Sequence, residues 1–207
     1  MKLVIFGSTG SVGHHLVVQA LEHEHTVSAF ARNPAKLGIE HANLTAVQGD
    51  ALDSASVEEA VDGQDAVLCS LGAGAKGAIR TEGTRNIVRA MEKAGVSRFI
   101  CLSTLGVGNS RANLDFFMKH IMFGFLLRRA YADHVSQEDS VKESRLDWTL
   151  VRPAAFTDGI RTGEYRHGFP STDKTIKAKI SRAEVADFML KQLTDRTYLK
   201  ETPGLSY

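Results

Sequence analysis

Three glycines set three residues apart, directly after a short apolar run, constrain this chain more than any other feature. Residues Lys2 to Gly13 read KLVIFGSTGSVG, and Leu16, Val17, Ala20 and Leu21 then recur at helical spacing. Leu3, Val4, Ile5 and Phe6 predict a buried strand, so the order is strand, glycine turn, helix. Such a unit presents the N–H groups of a helix start to a pyrophosphate. Gly7 is expected to turn the chain off the strand, Gly10 to let the backbone approach the phosphates, and Gly13 to let helix and strand pack closely. The spacing is G-x-x-G-x-x-G rather than G-x-G-x-x-G.

The next strand, Thr26 to Ala31, indicates which dinucleotide. An acidic residue at its end would accept bonds from a ribose 2′-hydroxyl and repel a 2′-phosphate. Here Arg32 follows, with Lys36 a turn further on. A planar guanidinium suits bidentate phosphate contact and a lysine adds a point charge, so NADP(H) is favoured over NAD(H).

The alternation continues. Asn43–Gln48, Asp65–Ser70, Arg98–Ser103 and Trp148–Arg152 read as strands, the last stopped by Pro153. Ser54–Val61 reads as a helix capped by Asp53 or Ser54, Thr81–Ala94 as a helix closed by Gly95, and Leu114–Ser144 as a helical region. Strands apolar throughout and separated by helices predict an α/β fold, a Rossmann-type doubly wound parallel sheet with helices on both faces. One domain is expected, with its cofactor half at about residues 1–110 and a substrate-facing part at 111–207. Ser181 and Glu184 form a capping-box pattern before a helix over Val185–Leu193.

Bulk properties exclude several classes. A formal net charge of +1 offers no electrostatic case for nucleic acid or an anionic membrane as partner. The two cysteines, Cys69 and Cys101, each fall in a predicted buried strand and suit reduced thiols of a cytoplasmic protein. No targeting signal is evident, since Lys2 leads straight into a strand. His14, His15, His23 and His25 lack the carboxylate or thiolate company a metal site needs, so no metal is expected. Phe116–Leu127 is apolar on nearly every side of a helix. Burial beneath neighbouring elements is its plain reading, and a protein-partner contact or an apolar substrate wall the sharper one. Glu138, Asp139 and Glu143 read as a solvated helix face.

Seven motifs carry a family resemblance: GSTGSVG (7–13), ARNPAKL (31–37), GDALD (49–53), GQDAVLCSLG (63–72), EGTRNIVRAMEKAGVSRFI (82–100), LDWTLVRPA (146–154) and ISRAEVADFML (180–190). With these the chain resembles the atypical short-chain dehydrogenase/reductases of the NmrA-like, NAD(P)H-binding group, most of all the flavin reductase/biliverdin reductase B type. The resemblance implies Gly7, Ser8, Thr9, Gly10, Ser11 and Val12 around the pyrophosphate and Arg32 and Lys36 at the 2′-phosphate. It implies Asp50 and Ala51 at the adenine, and Leu71 and Gly72 along the ribose. Arg85, Ser103 and Thr104 would lie nearer the nicotinamide, with His134 bordering the active site and Ala155 and Phe156 closing over it.

The departures bear on mechanism. Better-known short-chain dehydrogenases use Tyr-x-x-x-Lys, whose cation lowers the tyrosine pKa. Here Tyr131 is followed four residues later by Val135, and Ala155 stands where flavin-reductase relatives have a histidine. Candidate catalytic residues are thus Ser103, Thr104, Tyr131 and His134, with Tyr131 as a weak proton donor or a packing residue. Hydride transfer to a flavin, quinone or similar conjugated small acceptor needs no strong acid, and such a reductase is the expected activity. An NADP(H)-binding sensor without turnover is the alternative. A nucleotide-sugar isomerase or epimerase is a third, which the missing lysine disfavours.

Overall fold

The computed structural model describes residues 1–72 and 79–207. Strands and helices alternate as β1 (Lys2–Phe6), α1 (Gly13–Glu22), β2 (Thr26–Ala31), β3 (Leu44–Gln48), α2 (Ser54–Val61), β4 (Ala66–Cys69), α3 (Ile79–Ala94), β5 (Arg98–Leu102), α4 (Arg128–Lys142) and β6 (Asp147–Pro153). These six strands are parallel in the order β3-β2-β1-β4-β5-β6, so the sheet reverses its winding between β1 and β4. That reversal opens a crevice at the carboxyl ends of the strands, where ligands of such sheets bind.

Alternation along β1 sets the two layers. Leu3 and Ile5 pack with Leu16, Val17 and Ala20 of α1 and with Phe188 and Met189 of α5 (Arg182–Lys191). Val4 and Phe6 face the other way, onto Val57 of α2, Ile87 and Met91 of α3 and Val141 of α4. Asp53 caps α2, its carboxylate accepting from the backbone N–H groups of Ala55 and Ser56. Cys69 and Cys101 sit opposite each other in register on β4 and β5 as buried free thiols.

Four short strands go beyond what periodicity predicts: β7 (Ala155–Thr157), β8 (Arg166–His167), β9 (Lys179–Ser181) and β10 (Gly204–Ser206). Strand β10 runs parallel to β6 and β8 antiparallel to β10, extending the sheet, while β7 pairs with β9 alone. Pro153 therefore does not stop β6 but belongs to it, its ring needing no ladder donor and its carbonyl accepting from Leu105 N–H at 2.8 Å.

The capping pattern before α5 is half realised. Ser181 Oγ accepts from the Glu184 N–H, but the Glu184 carboxylate turns to the N–H and hydroxyl of Thr162, at 2.7 and 2.6 Å. It thereby ties the polar segment after β7 to the helix start, and α5 begins at Arg182 rather than Val185.

The Phe116–Leu127 stretch departs most from its plain reading. It forms a π-helical lid, Phe117–Leu126, in which no residue is fully buried. Met118 and Phe123 pack inward, while Phe116, Phe117, Phe125 and Leu126 are exposed. A segment apolar on all sides, laid over the rim of a sheet, has only one face to bury. Among the described residues no helix is long and apolar enough to cross a membrane.

Candidate active site

The glycine loop begins with a conformation that side chains disfavour: Gly7 has φ +78°. A Cβ there would stand 2.7 Å from the Ser70 carbonyl oxygen, so β1 and the end of β4 approach each other only around a glycine. Gly13 is tighter still, a Cβ falling 2.0 Å from the Gly7 carbonyl oxygen. The buried Ser8 hydroxyl donates to the Phe30 carbonyl at 3.1 Å, pinning the loop to β2. Ser8 thus holds the loop's shape, while Thr9, Gly10, Ser11 and Val12 line the cleft. No side chain caps α1 and no acid sits in its first turn. Within its first turn His14 N–H bonds the Gly10 carbonyl at 2.9 Å and Leu16 N–H the Val12 carbonyl at 3.0 Å, so an anion at this end would meet the positive end of the helix dipole rather than a full set of free donors.

The cleft measures about 780 Å³ and follows the carboxyl ends of β1 to β6. Arg32, Asp50, Ala51, Leu71 and Gly72 line it as the resemblance implies. Asp50 also accepts from Leu52 N–H at 3.0 Å, which orients its carboxylate. Lys36 lies on the exposed face of a short 3-10 turn, Pro34–Leu37, outside the cleft wall. An uncapped helix start, a glycine loop and a guanidinium at one rim fit a phosphorylated dinucleotide. Bound there, NADPH would supply a hydride.

Arg85 is a correction. Its guanidinium reaches Glu82 at 2.7 Å and Ser140 at 3.3 Å on the far side of α3, away from the cleft. Helical geometry explains this: Arg80, five residues earlier, is the α3 arginine that faces the cleft. The resemblance had placed Arg85, in the EGTRN motif, near the nicotinamide, but its position on α3 turns it to the face away from the cleft.

Tyr131 does not line the cleft either. Its hydroxyl donates to the Gly106 carbonyl at 3.2 Å, its ring lies against Phe123, and Arg111 stacks 5.5 Å over it. It anchors the lid base and is poorly placed to give a proton to a substrate.

Ser103, Thr104 and His134 all line the cleft, as do Ala155 and Phe156. Ser103 Oγ donates to Glu138 Oε1 at 2.7 Å. Glu138, expected on a solvated face, is instead completely buried. Both its oxygens accept from Arg152, Nε at 2.8 Å and Nη2 at 2.6 Å, and Lys142 adds a bond at 2.8 Å. Burial alone would raise the Glu138 pKa, but these partners outweigh it and hold the carboxyl below the usual carboxylate range. Arg152 reaches on to Asn109 at 2.7 Å, so one ion pair joins β6, α4 and the loop leading to the lid.

His134 is neutral near pH 7, because burial and the adjacent Arg80 pull its pKa down to about 4. Among the described residues its buried Nδ1 makes no well-formed hydrogen bond, although the Gln137 side chain lies beside the ring. The wall facing it is apolar, built by Leu105, Leu114, Met118, Met122, Phe123 and Leu127. An apolar wall from Phe116–Leu127 was among the sequence expectations, but which of its residues turn inward was not legible, and Leu105, Leu114 and Arg80 were missed.

Comparison with known proteins agrees with this architecture. The chain is 28% identical over 93% of its length to the UPF0659 protein of Saccharomyces cerevisiae, 87% of which it covers. It spans only 48% of a longer relative, the Photosystem II assembly factor of Synechocystis, at 26% identity over 80% of the chain. An oxidoreductase of Lactococcus lactis superposes over 100% of this chain and 90% of its own, with TM-score 0.83 and 26% identity. Two others share the fold. A short-chain dehydrogenase/reductase of Veillonella parvula in complex with NADP has TM-score 0.82 and 18% identity, covering 100% and 94% of the two chains. The anaerobilin reductase of Escherichia coli has TM-score 0.81 and 24% identity, covering 100% and 97%. The sequence profile of the NAD(P)H-binding family matches residues 7–196, and the chain belongs to that family.

Proposed function

We propose that the protein is an NADPH-dependent reductase of a flavin, quinone or similar conjugated small acceptor. The observation that carries this is the lining of the cleft, where apolar side chains are joined by two hydroxyls and a neutral histidine, with no Tyr-Lys pair. A flat ring system would be held against the cofactor by Met118, Met122 and Phe123, which exclude water from one side of the transfer. Two electrons and one hydrogen reach the acceptor as hydride, and water supplies the balancing proton. The Ser103 proton is given to Glu138, so that hydroxyl offers a bound acceptor only its lone pairs, which can receive an N–H or O–H but donate no proton. The reductase named among the structural relatives favours the same class of chemistry. NADPH oxidation should be measured with FMN, riboflavin and small quinones, and absence of turnover with all of them would overturn the proposal.

The 2′-phosphate preference belongs to the same proposal. Among the described residues the Arg32 guanidinium has no carboxylate partner, and it lines the outer cleft. Arg32→Glu is expected to weaken NADPH binding roughly 10- to 100-fold, the worth of a charge-assisted pair, and to affect NADH far less. Fluorescence titration of both nucleotides checks this; equal effects on the two would rule out a 2′-phosphate contact.

The exposed outer face of the lid favours a second reading, an NADP(H) sensor with a protein partner. Under that reading NADPH and NADP⁺ bind with different affinities and no acceptor is turned over.

A further inference from the structure

We propose that the outer face of the lid, Phe117–Leu126 with Phe116 before it, docks on the surface of an anionic lipid bilayer. The inference goes beyond the reductase reading, and it claims for lipid the face that the second reading gives to a protein.

The lid sorts its side chains by exposure. Met118, Met122, Phe123 and Leu127 line the cleft. Phe116, Phe117, Ile121, Phe125 and Leu126 stand in water, Phe116 at 73% and Phe125 at 78%. The outward positions recur every four to five residues, the interval of a π-helical turn, so they share one face. Five of the nine large apolar side chains exposed among the described residues are gathered there, and a contiguous patch of this kind marks a contact surface.

Charge selects the occupant. From Asp115 to Arg129 the lid and its junction with α4 carry Lys119, Arg128 and Arg129 against one acid, Asp115. That carboxylate already accepts from the Met118 N–H at 2.8 Å. Among the described residues none of the three cations is in an ion pair, nor is the exposed Arg111, whose guanidinium rests on Tyr131. The net charge of +1 conceals this local excess, and the sequence expectation of no membrane partner rested on that total. Aromatic and aliphatic side chains beside unpaired cations suit a helix lying among anionic headgroups. Ten residues are too few to span a bilayer, so the lid would lie on it. A second copy meeting the lid across a twofold axis would crowd two sets of these cations into one interface. A protein partner would call for oriented hydrogen bonds. Between Phe116 and Leu126 the fully exposed side chains offer it only His120, whose ring rests on Phe116 with centroids 4.5 Å apart. Lipid asks only for apolar area and charge.

The test is flotation of the full chain with vesicles of phosphatidylcholine, alone or with about one-third phosphatidylglycerol. The wild type is expected to float with the anionic vesicles at about 0.1 M salt and far less at about 1 M, where screening shortens the reach of the charges. Arg128→Gln/Arg129→Gln should weaken binding roughly 25-fold, about fivefold for each charge. Phe117→Ser/Phe125→Ser should weaken it at least about tenfold. In Phe125→Trp the emission should shift to the blue when anionic vesicles are added, against a constant signal from the buried Trp148. All these replacements fall at exposed positions, and melting curves check that the variants fold. No flotation of the wild type with anionic vesicles at low salt would overturn the proposal. So would flotation unchanged in the double Phe variant or an unshifted Phe125→Trp emission, either of which would mean charge attraction alone. A dimer in sedimentation that the Phe variant dissociates, without vesicle binding, would give the face to a second copy instead.

Discussion

Glu138→Ala is expected to lower the stability of this protein by about 3–5 kcal/mol, because it strands a buried guanidinium. Arg152 is 2% exposed and gives two of its bonds to Glu138. Without the carboxylate, among the described residues it keeps only Asn109. For a domain of this size the loss corresponds to roughly 6–20 °C in Tm. Glu138→Gln should lie nearly as low, since the amide preserves shape but not charge. The double variant Glu138→Leu/Arg152→Met should recover much of the loss, as buried pairs replaced by apolar residues often do. Scanning calorimetry checks all three, and a shift below about 2 °C in Glu138→Ala would mean the pair is solvated. Acid should act on the same region. His134 and Glu138 both have folded-state pKa values below their ordinary ones. Their contributions are complete above about pH 6.5 and are lost on acidification, the histidine's first and the carboxylate's below about pH 4.3. Stability should therefore fall steadily from pH 6.5 to pH 4 in the wild type, and less steeply in His134→Gln.

Gly13→Ala should weaken the fold and cofactor binding together. The added methyl would meet the Gly7 carbonyl oxygen at 2.0 Å and its carbon at 2.8 Å. Both are backbone atoms of the loop itself, so relief requires α1 to move off β1. Overpacking of this kind costs about 1–3 kcal/mol. The displaced loop should also weaken NADPH binding by at least about tenfold, the worth of 1.4 kcal/mol in misplaced contacts. Gly10→Ala is the informative partner. Its methyl meets only the Gly7 oxygen, at 3.1 Å, so the fold should tolerate it while the phosphates are crowded. Melting curves and NADPH titrations on the two variants should separate packing from ligand approach. Equal melting losses would show that the glycines are not distinct in role.

The cofactor half was legible because its signals are local. Gly7, Gly10 and Gly13, the apolar strands and the Asp53 cap each declare themselves within a dozen residues, and the structure places them accordingly. The acceptor half was not, because its determinants are long-range. Glu138 looks like any helix carboxylate until β6 brings Arg152 to it from 14 residues away. Arg80 and Arg85 lie five residues apart on α3 and so face different sides of it, and which side meets the cleft is set by packing against the sheet and α4. Strands of two or three residues, such as β8 and β10, show no periodicity to read. The lid's apolar run was visible, but its division into an inner and an outer face follows from the rim it crosses.

That inner face has a consequence for selectivity. Two of its three inward side chains are thioethers, whose unbranched, polarisable arms reshape themselves around whatever ring is offered. A wall of this kind grips by surface area and makes few demands on outline. Acceptors differing by a fused ring or a methyl group should accordingly be discriminated weakly, and reduction potential, more than steric match, should rank them.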